Sequence, residues 1–198
     1  MNQDLLPKDF FKKNPLNQYS AAMFADLSIR TVTWDDLNEK VESFVSPNIN
    51  AARRAKVMEQ KKQTDALQTP EEIVSQMRKK SDTLVNPLLC KKAIAIQDQV
   101  MPLILKRYKT TFQTCFVESA VRIFGNADRQ YTIELWKQYK EIRNPYAQSM
   151  ACVVFGAQEL EEAVPLLLAE YERMKKDYPS ESYSQGPLLA IYKLYGMA

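Results

Sequence analysis

Leu160, Val164, Leu167, Tyr171 and Met174 are spaced 4, 3, 4 and 3 residues apart, so a helix carries them all on one side. Thr132, Leu135, Tyr139 and Ile142 repeat that spacing earlier in the chain. Both stripes run through a phrase that occurs three times: VMPLILKRY at Val100–Tyr108, YTIELWKQY at Tyr131–Tyr139 and AVPLLLAEY at Ala163–Tyr171. Its closing tyrosines are 31 and 32 residues apart (139 − 108 and 171 − 139). A period near 30 predicts a helical repeat array.

Each unit of the repeat reads as two helices. The first begins near Asn86-Pro87, near Gln113-Thr114 and near Asn144-Pro145. Its second and third copies end in Ile123-Phe124-Gly125 and Val154-Phe155-Gly156, and the chain closes on Leu194-Tyr195-Gly196. An aromatic residue followed by glycine predicts a left-handed helix cap at each of these ends. The phrase forms the second helix, and Pro102 and Pro165 fall at the same place within it. Proline is tolerated in a first turn, which predicts helix starts shortly upstream, after loops at 97–99 and 157–161. Units of this length cannot bury their apolar sides alone and must stack.

Upstream, residues 1–48 read as a small N-terminal helical segment. Asn17 caps a helix carrying Tyr19, Met23 and Leu27, and Thr33 caps a second that presents Leu37, Val41 and Phe44. Phe10, Phe11 and Trp34 are expected to pack together or on the array. Residues 49–85 read as basic bridging helices. The first has only a thin apolar stripe of Ala51, Ala55 and Met58. The second opens on Thr69-Pro70-Glu71-Glu72, which supplies a cap, a proline at the first helical position and a glutamate at the third. Ile73, Val74 and Met77 form its buried side, and Arg78, Lys79 and Lys80 close its last turn.

Composition narrows the chemistry. The chain has 198 residues with 4 glycines, which favours helix, and no histidine. Without an imidazole, Ser-His-Asp and Cys-His nucleophiles and histidine-containing zinc sites are excluded. Cys90, Cys115 and Cys152 lie in apolar helical patterns and are expected to be small buried hydrophobes. No secretory signal or bilayer-spanning run is legible, so the expected compartment is the cytoplasm, with no membrane partner. The formal net charge of +3 is uneven: residues 51–110 hold 13 basic and 6 acidic side chains (13 − 6 = +7).

AQELEEAVPLLLAEYERM after ACVVFG resembles the HEAT-repeat, or armadillo-like, pattern: an apolar helix ending in glycine, then acids, a small residue, an apolar residue and proline. AVRIFGNADRQYTIELWKQY matches in spacing but has Ile133 where the other copies have proline. The resemblance covers residues 86–196. It implies an all-α fold, a right-handed α-solenoid of about three units over residues 86–198, behind the N-terminal helical segment. It also implies a scaffold that holds a protein partner along a concave side. HEAT-like proteins include DNA glycosylases that remove alkylated purines, but the family supplies no universal catalytic residue to carry over.

Two groups of residues are therefore candidates for binding. Trp136 stands where the aligned phrases have Leu105 and Leu168, and with Arg129 or Arg143 it would anchor a partner, since Trp and Arg are enriched at binding hot spots. Arg53, Arg54, Lys56, Lys61, Lys62, Arg78, Lys79 and Lys80 form a basic patch that would meet phosphates or an acidic protein. Aromatics that would interleave with these charges are missing between residues 45 and 107, which argues against single-stranded nucleic acid. The acids Glu159, Glu161 and Glu162 sit at a helix start, where the dipole favours them. The reading is a non-catalytic protein-binding scaffold with no catalytic residue, metal or cofactor. Its rival is a DNA-binding HEAT-like protein with base-excision activity, in which Trp136 faces the base and Asp128 or Glu134 stabilises a cationic sugar.

Overall fold

The computed structural model describes residues 6–17, 39 and 51–196, and among these all regular structure is helical. In chain order the helices are α1 (Phe10–Lys13), α2 (Ala51–Asp65), α3 (Pro70–Gln76), α4 (Asn86–Ala95), α5 (Gln97–Tyr108) and α6 (Thr114–Asn126). They continue with α7 (Arg129–Lys137), α8 (Pro145–Ala157), α9 (Val164–Asp177) and α10 (Gln185–Leu194), and 3-10 turns occur at Tyr139–Glu141 and Glu161–Ala163. The helices expected around Tyr19 and from Thr33 to Phe44, with Trp34, lie outside the described residues. No helix among the described residues is long and apolar enough to cross a membrane. The chain forms two compact units: a continuous one, 28–127, and a split one, 1–27 with 128–198.

In the continuous unit α3 starts as its sequence predicts. The Thr69 hydroxyl accepts the Glu72 N–H at 3.2 Å, while the Glu72 carboxylate accepts the N–H groups of Thr69 and Gln68 at 3.0 and 2.8 Å. The Gln68 and Thr69 N–H bonds hold the Glu72 carboxyl below its ordinary range. The helix ends at Gln76, so Arg78, Lys79 and Lys80 follow it in a turn instead of closing it. Packing skips alternate elements: α3 lies against α5, and α4 against α6.

Helix α2 docks on a side the apolar pattern did not predict. Ala51, Ala55 and Met58 are exposed, whereas Val57 and Thr64, two turns apart, are buried. Val57 packs with Val85 and Leu88, and Leu84 partly covers them. Polar contacts set this roll. Lys92 Nζ donates to the carbonyls of Thr64 and Asp65 at 3.0 and 2.6 Å, at the negative end of the helix dipole. Gln60 Oε1 accepts the Asp82 N–H at 2.8 Å, and Arg53 pairs with the Asp82 carboxylate at 3.4 Å. Helix α5 also departs from expectation. Only Ile96 separates it from α4, so 97–99 is helix and Pro102 is an interior residue of α5, on its exposed side.

The split unit is organised around α8, in which every residue from Ser149 to Gly156 is buried. Asn144 caps it, its Oδ1 accepting the Tyr146 N–H at 3.0 Å, and Pro145 follows at the first helical position. Both predicted stripes face inward: Thr132, Leu135, Tyr139 and Ile142 are buried, as are Leu160, Val164, Leu167, Tyr171 and Met174. Pro165 lies in the first turn of α9, as expected.

The glycine caps need correction. Gly125 and Gly156 lie inside α6 and α8, and neither has a positive φ. Gly156 instead admits α10: a Cβ there would stand 2.6 Å from Ala190 Cα. The left-handed cap of α8 falls three residues on, at Glu159 (φ 53°), and the Leu160 N–H reaches back to the Phe155 carbonyl at 2.9 Å. At the chain's close the expectation holds, with Gly196 at φ 69°.

Candidate functional site

The three phrase tyrosines are packing residues. Tyr108 meets Phe124 edge-on at 5.8 Å in the continuous unit, and Tyr139 meets Phe155 at 6.0 Å in the split unit. Both partners lie 16 residues downstream (124 − 108 and 155 − 139). The same offset from Tyr171 reaches Pro187. There the aromatic partner comes from α1 instead: Phe10 meets Tyr171 edge-on at 6.0 Å. Phe11 stacks edge-on against Tyr192 at 4.7 Å, and the Tyr192 hydroxyl donates to the carbonyls of Phe11 and Asn14. Phe10 and Phe11 thus pack together and on the C-terminal helices, as their sequence context predicts.

Trp136 and Arg129 stand on α7, seven residues apart, which puts them on the same side of the helix two turns apart. Trp136 is half-buried. Arg129 is occupied within the unit: it donates to the Glu159 carbonyl at 3.2 Å and pairs with Glu162 at 3.5 Å. Arg143 is exposed in the turn before α8. Of the carboxylates in the base-excision reading, Asp128 sits exposed at the start of α7, and the Glu134 carboxylate accepts the Gln138 side-chain amide.

A polar cluster that the sequence did not disclose lies beneath. Tyr139 OH donates to Glu170 Oε2 at 2.9 Å, and the Cys152 thiol donates to Tyr139 OH at 3.6 Å. Arg173 holds the Glu170 carboxylate and donates to Gln148 Oε1 at 2.7 Å, while Gln148 donates to the Ile142 carbonyl at 2.8 Å. Burial, and then the neighbouring Cys152 and Glu170, push the Tyr139 phenol far above its ordinary value. Burial raises the Cys152 thiol to about 12, so it stays protonated near neutral pH. The Glu170 hydrogen bonds raise Arg173 and keep it charged. Tyr139, Cys152 and Arg173 each hold their proton, and the cluster ties the Tyr139 turn, α8 and α9 together. Cys90 behaves in the same way in the continuous unit, where burial lifts its thiol to about 11.

The basic patch divides into two parts. On α2, at about 100° per residue, Arg53, Arg54, Lys56, Lys61 and Lys62 fall all around the helix instead of along one side. Arg53 pairs with Asp82, and Lys61 pairs with Asp65 at 2.8 Å. Lys79 and Lys80 are exposed beyond α3. Arg78 is placed differently, because it borders a groove of about 570 Å³ between α3 and α5.

Each helix lines that groove with one side. From Glu71 to Arg78, α3 and the turn after it contribute residues at i, i+3, i+4 and i+7, and α5 with its following turn does the same from Leu103 to Thr110. Val74 and Leu103 supply apolar surface, while Arg78, Lys106 and Arg107 bring three cations against the one carboxylate, Glu71, among the lining residues. Arg78 Nε donates to Gln113 Oε1 at 3.0 Å, which joins the turn after α3 to the start of α6. The Arg107 guanidinium lies 5.7 Å from the Phe116 ring centre, and its buried Nε has no hydrogen-bond partner. One residue before Gln113, Phe112 is 69% exposed.

Lys106, Arg107 and Phe112 were missed by reading the sequence for runs of charge. The stretches 71–78 and 103–110 share no pattern of polar and apolar residues that would pair them before the helices are laid side by side. Comparison of the chain with protein families, with curated proteins and with solved structures found no match.

Proposed function

We propose that the protein is a non-catalytic binding module, built of HEAT-like helical repeats, that holds a protein partner. The observation that carries this reading is the α3–α5 groove, whose apolar surface is bordered by cations on two matched helix sides. Clefts of roughly 300–1,000 Å³ with apolar walls and a few placed polar groups are the usual form of a binding site. The repeat part of the reading draws support from packing between alternate helices within each unit, α4 with α6, α3 with α5, and α8 with α10. Stacked two-helix repeats place like helices side by side in this way. The recurring tyrosine–phenylalanine pair at a 16-residue offset supports it further.

The reading is tested by panning the full chain against a library of random peptides. Enriched peptides are expected to bind the purified protein saturably in fluorescence polarisation. No enrichment over bare matrix overturns the module. Titration with duplex DNA addresses the rival reading. A phosphate-reading protein with several contacts loses on the order of 10³-fold in affinity between roughly 50 and 200 mM salt. The spread of cations around α2 predicts weak binding without that steep slope.

A further inference from the structure

We infer that the α3–α5 groove receives an acidic amphipathic helical segment of a partner protein. The inference rests on the protein-binding reading above and adds the chemical class of the ligand and its place on the molecule.

Charge sets the first requirement. Arg78, at the end of the α3 stripe, donates to Gln113 at the start of α6, and Lys106 and Arg107 line the same groove, while Glu71 opens the α3 stripe at its other end. Helix dipoles account for part of this, since Lys106 and Arg107 occupy the last turn of α5, where cations are favoured. They do not account for the rest. Arg78 lies past the end of α3, and three cations face the single carboxylate, Glu71, among the lining residues. A carboxylate-bearing ligand would add charge-assisted hydrogen bonds to these cations.

Apolar surface sets the second requirement. Val74 and Leu103 lie along the groove, and Phe112, the most exposed of the large hydrophobic side chains described, stands beside the residue that bonds Arg78. Phosphate backbone has nothing to place on such surface, whereas an amphipathic helix lays its apolar side into a groove and keeps its charges at the rim. Leu or Phe side chains toward Val74 and Leu103, with Glu or Asp toward Arg78, Lys106 and Arg107, answer both requirements.

The test uses the full chain and a labelled helical peptide of about 14 residues, with Leu at helical spacing on one side and Glu on the other. Fluorescence polarisation is expected to show saturable binding. Arg78→Glu and Lys106→Glu should each weaken it by roughly 10-fold or more, since each sets like charges against the ligand. Arg54→Glu makes the same change in net charge on the exposed surface of α2 and should leave binding within about twofold. Far-UV circular dichroism confirms that the variants, all at exposed positions, keep their helices.

Absence of binding by the Leu/Glu peptide overturns the inference. So does equal binding of a peptide with Lys in place of Glu, an equal loss in Arg54→Glu, or displacement of the peptide by duplex DNA at equal concentration. Library peptides that bind but ignore Arg78→Glu and Lys106→Glu would remove this inference and leave the binding module standing. A library with no binders removes the module itself.

Discussion

The two units join their helices by different chemistry. In the split unit α8 and α10 approach through missing side chains: Gly156 faces Ala190, and Gly186 faces Ser149. In the continuous unit α4 and α6 meet through hydrogen bonds. The Asn86 side chain donates to the Ser119 hydroxyl at 2.8 Å and accepts from Arg122, and the Cys90 thiol points to the Ser119 carbonyl at 3.7 Å. Glycine contacts fix the separation of two backbones tightly, because close-packed interiors do not yield to an added methyl. Polar contacts fix register while leaving the outer sides of the helices open. The unit locked by glycine also carries α1, whose Phe10 occupies the place of the missing third phenylalanine. The other unit keeps an open groove and an exposed Phe112.

What the units share is the tyrosine–phenylalanine pair, and the largest expected effect tests whether it is one device used twice. Phe124 and Phe155 are both fully buried beneath their tyrosines. Phe124→Ala and Phe155→Ala should each cost about 4 kcal/mol, the sum of lost burial and the cavity left behind. Denaturant unfolding measures the cost, and amide exchange should place each loss in the helices of the unit that carries the variant. Costs that differ by more than about 1.5 kcal/mol, the spread expected for one kind of site, would break the equivalence.

A smaller effect separates the units. In Gly186→Ala the new Cβ would lie 2.2 Å from the Ser149 carbonyl oxygen and 2.3 Å from its hydroxyl oxygen. Backbone cannot step aside as a side chain can, so α8 and α10 must part. The expected cost is about 3 kcal/mol, seen as a fall of roughly 10 °C in Tm. A melting temperature within about 2 °C of the parent would show that the crossing has slack and that the contrast between the units is overdrawn.

These contacts mark the limit of what the chain discloses as a string. The stripes from Thr132 to Ile142 and from Leu160 to Met174 were legible because helical periodicity is local, and the cap at Thr69 because its partner is three residues away. Gly156 was misread because glycine before a break looks like a cap, while the reason for it, Ala190, lies 34 residues on (190 − 156). The side of α2 that docks was misread for a related reason: Lys92, Gln60 and Asp82 set its roll, and apolar pattern carries no information about them. In the groove Arg78 was named, but as part of a run of charge. Lys106 and Arg107 join it only once α3 is laid beside α5.

The smallest expected effect has the opposite sign and sharpens the account of the glycine-locked unit. Helix α8 ends with Glu159 in the left-handed region, where a side chain crowds its own backbone. The bond from the Leu160 N–H to the Phe155 carbonyl requires that conformation, and Leu160 is buried beneath it. Glycine adopts it freely, so Glu159→Gly should stabilise the protein by up to about 1 kcal/mol, less the greater freedom of the unfolded chain. The Arg129 contact to this position is to the backbone carbonyl, which glycine retains. A rise of a few degrees in Tm is therefore expected, roughly 2–4 °C per kcal/mol for a chain of this size. A fall would mean that the Glu159 side chain contributes more than its backbone strain removes, and the cap of α8 would then have to be assigned to side-chain contacts instead of to chain geometry.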